Sequence, residues 1–160
     1  MPSLLLLGAA KPPPRGSPPR WFWGCWVVTK ELPVSESFGI SPEQEKAIVG
    51  TRLIFTPTWA RSGRTVVKSP KFSARVVSAR DFFRLGNYVK LSQIGVKAKQ
   101  VTEVYLDLPD DLSDLNFPGN YSYLREKDKD IVIVVEGDYF VAEKAKPGGP
   151  TCKRDGKKPK

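Results

Sequence analysis

The chain has 160 residues, 40% of them hydrophobic, a formal net charge of +9, two cysteines and no histidine. Such a length fits one domain with a buried core. No apolar run reaches the roughly 18 residues of a membrane-spanning helix, and the lack of histidine removes the commonest general base and metal ligand. Two cysteines with 126 residues between them are too few for a disulfide scaffold and fit no metal motif; in an oxidising compartment Cys25 and Cys152 could join the first strand to the C-terminal tail.

The charge is unevenly placed. Residues 1–20 carry +3 and residues 146–160 carry +5, which leaves +1 for residues 21–145. Within that central part, residues 46–99 hold 12 Lys or Arg and one acid, Asp81, whereas residues 100–145 hold 4 basic residues and 11 acids. Two readings stay open: basic strands that pair with acidic ones, or a bipolar surface that steers a charged partner.

In chain order, Met1–Ala10 has the short apolar stretch and small residues of part of a secretory signal, without the basic leader. The alternative is an unstructured N-terminus. Residues 11–20 contain five prolines and read as an extended linker. Gly24 to Glu31 is the first strand, led by the aromatic run Trp21-Phe22-Trp23; Trp, Phe and Val on alternating positions suit a pleated, half-buried surface. Ser41 to Val49 predicts a short helix: Ser41 as cap, Pro42 at the first position, Gln44 completing a capping box, and Gly50 as the stop. Ala47 and Ile48 are expected on its inner side.

Strands follow. Thr51–Thr56 alternates with Leu53 and Phe55 on one face. Arg61 to Arg64 reads as a turn, Thr65–Val67 as a returning strand and Phe72–Val77 as an extended run. Ser78 caps a helical turn to Leu85. Gln100–Leu108 alternates with Val104, Leu106 and Leu108 on one face. Asn120–Leu124 is a shorter strand whose Tyr121 and Tyr123 form either an exposed ledge or a cross-strand packing pair. Ile131–Val135 and Tyr139–Ala142 make a hairpin around Glu136-Gly137-Asp138. Residues 146–160, rich in Pro, Gly and Lys, read as a disordered basic tail. About eight short strands at spacings near ten residues, with one or two short helices, argue for an all-β antiparallel barrel over residues 21–145.

Gly24-Cys25-Trp26 in the first strand resembles the Gly-x-Trp signature of lipocalin-type barrels. Together with Ile48–Phe55, Gly63, Ser69–Phe72, Ile94-Gly95, Val101–Leu108 and Gly137–Phe140, the chain looks like a family of small exported bacterial proteins of unassigned function. The resemblance implies a lipocalin-like barrel of about eight strands and a secreted or periplasmic location.

For chemistry the sequence offers little. It has no nucleophile elbow, no phosphate-cradling glycine loop and no cofactor motif, and Cys25 lies among aromatics, where a thiol more often packs than reacts. The expectation is a monomeric, non-enzymatic protein without cofactor or metal. Asp110, Asp111 and Asp114 offer hard oxygen ligands, but their spacing does not match a calcium loop. Eight strands enclose just enough room for side chains or one small molecule. The apolar candidates facing inward are Trp26, Val28, Leu53, Phe55, Val104, Leu106 and Phe140, which would line a site for a small hydrophobic ligand or form a solid core. The rival function is protein recognition, with Asp110, Asp111 and Asp114 receiving a cationic partner. An oligonucleotide-binding barrel is a further alternative; nucleic acid is disfavoured because the basic charge sits in the tails.

Overall fold

The computed structural model describes residues 16–34, 40–85 and 88–146. The signal-like stretch at residues 1–10, the first part of the proline-rich linker and most of the basic tail lie outside the described residues. So does Cys152; Cys25 is disulfide-bonded.

Nine antiparallel strands form one sheet: β1 (Gly24–Glu31), β2 (Arg52–Phe55), β3 (Trp59–Ser62), β4 (Thr65–Lys68), β5 (Lys71–Ser78), β6 (Gln100–Asp107), β7 (Tyr121–Arg125), β8 (Asp130–Val135) and β9 (Asp138–Lys144). Two short helices accompany them, α1 (Pro42–Ile48) and α2 (Ala79–Leu85). The strand order is β4-β3-β2-β1-β9-β8-β7-β6-β5. Strands β4 and β5 therefore stand at opposite edges, yet only Ser69 and Pro70 join them. Laid flat, eight inter-strand gaps would separate the edges by about 38 Å, whereas two linking residues reach roughly 11 Å. The sheet must curl strongly to satisfy both, and it forms an open half-barrel.

Two expectations are corrected here. Among the described residues the strands number nine, because Trp59–Ser62 is a strand and the turn that follows is tighter than Arg61–Arg64 suggested: Ser62 pairs with Thr65 across Gly63-Arg64. The barrel is also not closed by backbone pairing, since β4 and β5 do not pair. Gly16, read as linker, instead bridges the outer edge of β5, its N–H donating to the Ala74 carbonyl at 2.7 Å and its carbonyl accepting from the Ala74 N–H at 2.8 Å.

Side chains close what the ladder leaves open. A 3-10 turn at Arg20–Phe22 carries Phe22 inward. Its ring stacks on Phe55 of β2 at 4.9 Å and meets Phe72 of β5 edge-on at 5.9 Å, with Trp23 completing the cluster. Strands β2 and β5 do not pair, so these rings join the two sides of the curl. Helix α1 forms as its cap predicts: Ser41 Oγ accepts from the Gln44 N–H and Gln44 Oε1 from the Ser41 N–H. It buries Ile48 in the core but leaves Ala47 exposed, contrary to expectation.

Both faces of the sheet centre are covered. The inner core gathers Trp26, Leu53, Phe55, Leu106, Ile131, Ile133 and Phe140 with their neighbours. On the outer face, Phe82 of α2 and a 3-10 turn at Leu91–Ile94 pack on Val77, Val101, Val132 and Tyr139. Phe82 sets its ring edge against Tyr123 at 4.9 Å, so Tyr123 is a packing residue. Burial holds Tyr123 and Tyr139 in the neutral phenol form: it raises both, the Glu103 carboxylate adding to the effect at Tyr123, and pushes Tyr139 up to about 12. A phenol whose folded value is raised contributes stability that is complete below its unfolded value near 10 and is lost as pH climbs through the folded one. Absorbance at 295 nm during an alkaline titration should therefore show these two tyrosines ionising together with unfolding; their ionisation near pH 10 in a folded chain would contradict the packing.

Candidate functional site

The seven apolar residues expected to face inward do converge. Trp26, Val28, Leu53, Phe55, Val104, Leu106 and Phe140 lie in one cluster, each at most 1% exposed. They alternate correctly because residues paired across the ladder share a face. The register sets Trp26 opposite Lys144 and Phe140 opposite Glu31, and both rings lie in the same inner core. The three clefts described next to the sheet, of about 530, 250 and 470 Å³, are lined by none of the seven.

The connection of residues 108–120 leaves β6 and returns to β7, and it carries the acidic candidates. Asp110 and Asp111 are exposed, and Asp114 is partly buried. The stretch is firmly held. Its Leu112, Asn116 and Phe117 N–H groups donate to the carbonyls of Pro109, Ser113 and Ser113, and Asn116 Oδ1 accepts from the Ser113 hydroxyl at 2.9 Å. Phe117 is fully buried in the inner core, and the Ser62 hydroxyl of β3 donates to the Pro118 carbonyl at 2.7 Å. Gly119 has φ +100°, and a Cβ there would stand 3.0 Å from Leu53 Cδ1 and 3.3 Å from Phe55 Cζ, so glycine is needed both for backbone and for room. The loop thus spans the curl from β6–β7 to β2–β3. Asp114 Oδ2 accepts from the Glu136 N–H at 2.8 Å, and Asp114 holds the Glu136 carboxyl above its ordinary range.

At the base of this loop, on the outer face, Tyr105 and Tyr121 are cross-strand partners with ring centroids 4.7 Å apart. Ser73 pairs with Tyr105, Arg75 with Glu103 and Glu103 with Tyr123, giving two rows of three across β5, β6 and β7. Ser73, Arg75, Glu103, Tyr105 and Tyr121 line the cleft of about 250 Å³. Arg75 Nε donates to the buried Glu103 carboxylate at 2.9 Å, so basic and acidic halves of the chain do meet through this pair. The ledge anticipated at Tyr121 and Tyr123 is divided: Tyr121 is exposed beside Tyr105, and Tyr123 is packed. The partner of Tyr121 was not legible locally, because pairing of β6 with β7 across residues 108–120 sets it.

No protein-family model matches the chain, no curated protein matches it, and no solved structure matches it. The likeness to lipocalin-type barrels accordingly extends to a strongly curled antiparallel sheet.

Proposed function

We infer that the protein is a non-enzymatic, exported recognition module that receives a cationic protein segment at Asp110, Asp111 and Asp114. The observation that supports this best is the anchoring of residues 108–120. The loop exposes carboxylates while Phe117, Pro118 and Gly119 fix it to the inner core, so little ordering entropy remains to be lost on binding. Tyr105 and Tyr121 at its base add flat aromatic faces of the kind that cations and interfaces favour. An apolar ligand inside the curl has less support, because the seven residues that would line its site pack against one another.

The chain's net charge of +9 repels cations at long range, which makes the test sharp. A lysine-rich peptide should bind in low salt and weaken steeply as salt rises. Asp110→Asn with Asp111→Asn should lower that affinity at least tenfold without changing thermal stability by more than about 0.5 kcal/mol. Equal affinity in the double variant, or no binding by the parent, would reject the proposal. A thermal shift with a small apolar compound would favour the interior instead.

A further inference from the structure

We propose that Glu31, Glu45 and Asp138 form a binding site for a divalent cation of calcium's size. These residues come from the end of β1, the middle of α1 and the start of β9, and each offers a carboxylate oxygen, all within 4.8 Å of one another. No sequence spacing announces them: 14 and 93 positions separate consecutive members.

Each is placed by the fold. Glu31 pairs with Phe140 across the ladder, so Asp138, two residues before Phe140 on β9, lies on the same face beside it. Glu45 precedes Ile48 by one helical turn, and Ile48 is the α1 residue buried in the inner core. Glu45 therefore lies on the side of α1 that meets the sheet. The two-residue hairpin turn Glu136-Gly137, with φ of 48° and 86°, sets the start of β9.

Crowding alone does not make a site; the buried member points to a ligand. Asp138 is 5% exposed, and its Oδ2 is buried with no hydrogen-bond partner. A buried carboxylate oxygen without a donor is costly. Among the described residues, no Lys or Arg forms an ion pair with any of the three.

The ligand set favours calcium, which takes oxygen ligands in a flexible geometry, over magnesium, which demands a near-ideal octahedron and gives up its water reluctantly. Three carboxylates leave the remaining positions of a six- to eight-coordinate ion to water. The acidic loop Asp110–Asp114 shares none of these residues, so this site and the recognition surface stand or fall separately.

The test uses the full chain, stripped with a chelator and then given calcium chloride alone. Calcium at 1 mM should raise the thermal midpoint by about 5 °C or more, and titration calorimetry should show one site with a Kd at or below about 10⁻⁴ M. Magnesium at the same concentration should shift the midpoint by less than half as much. Glu45→Gln, on a surface helix, should fold and lose at least tenfold in affinity. Asp138→Asn should lose the calcium response while the chelated variant melts no lower than the chelated parent, because one like charge has been removed. Asp110→Asn with Asp111→Asn should leave the calcium response unchanged. The proposal is overturned by the absence of a calcium-dependent shift at 1 mM. An undiminished response in Glu45→Gln, or loss of the response in the Asp110→Asn, Asp111→Asn variant alone, would overturn it equally.

Discussion

Replacing Trp26 by Ala should cost about 3–5 kcal/mol, a large part of the 5–15 kcal/mol that holds a typical domain folded. The indole is fully buried, and its size makes it one of the largest such side chains in the molecule. Its Nε1–H donates to the Phe22 carbonyl at 2.9 Å, Trp21 packs edge-on at 6.2 Å, and the Lys144 ammonium lies 5.3 Å from the ring centroid. Removing the ring therefore leaves a cavity and an unpaired buried carbonyl together. Trp26→Phe keeps most of the volume and should cost less, about 1–3 kcal/mol, since the carbonyl loses its donor in both variants. Urea unfolding midpoints at constant m-value measure the difference. A loss below about 1 kcal/mol for Trp26→Ala would place the indole outside the core.

Phe22→Ala should be nearly as severe, about 3–5 kcal/mol, for a different reason. Phe22 belongs to no strand, yet it is fully buried between β2 and β5, which share no ladder. Stacking on Phe55 with an interplanar angle of 8° and edge contact with Phe72 make it the joint between the two sides of the curl. Such aromatic pairs contribute about 0.5–1.5 kcal/mol each beyond their buried area. The loss should also have an address. The Ala74 amide, bonded to Gly16 at the β5 edge, should exchange with solvent faster in Phe22→Ala than its β6-facing neighbours do. Phe22→Leu, closer in volume, should cost less than half as much as Phe22→Ala. Uniform acceleration across all strands would mean that Phe22 adds only general core stability.

Several elements were decided by local sequence. The β1 bounds follow from Gly24 and the alternating Trp26 and Val28, and α1 follows from the Ser41–Gln44 box with Pro42. Alternation also assigned Leu53, Phe55, Val104, Leu106 and Phe140 to one face, because a strand's two-residue period is written in the order of its side chains. Strand β3 was less legible. Only four residues long and preceded by Pro57, it carries too short an alternation to separate Trp59–Ser62 from its turn.

Tertiary structure decided the rest, because pairing partners are chosen by contacts far apart in the chain. That β4 and β5 become opposite edges although Ser69 and Pro70 alone separate them is a property of strand order, and it forces the curl. The open seam filled by Phe22, and the covering of the β5 edge by Gly16, depend on where that curl brings β2 and β5. The same holds for the carboxylates. Asp110, Asp111 and Asp114 form a visible run, whereas Glu31, Glu45 and Asp138 look like isolated surface acids until β1 pairs with β9 and α1 folds against them. The sequence by itself determined which residues turn inward, since periodicity is a local property. Which inward and acidic residues meet was decided only by the nine-strand topology, since contact order is not.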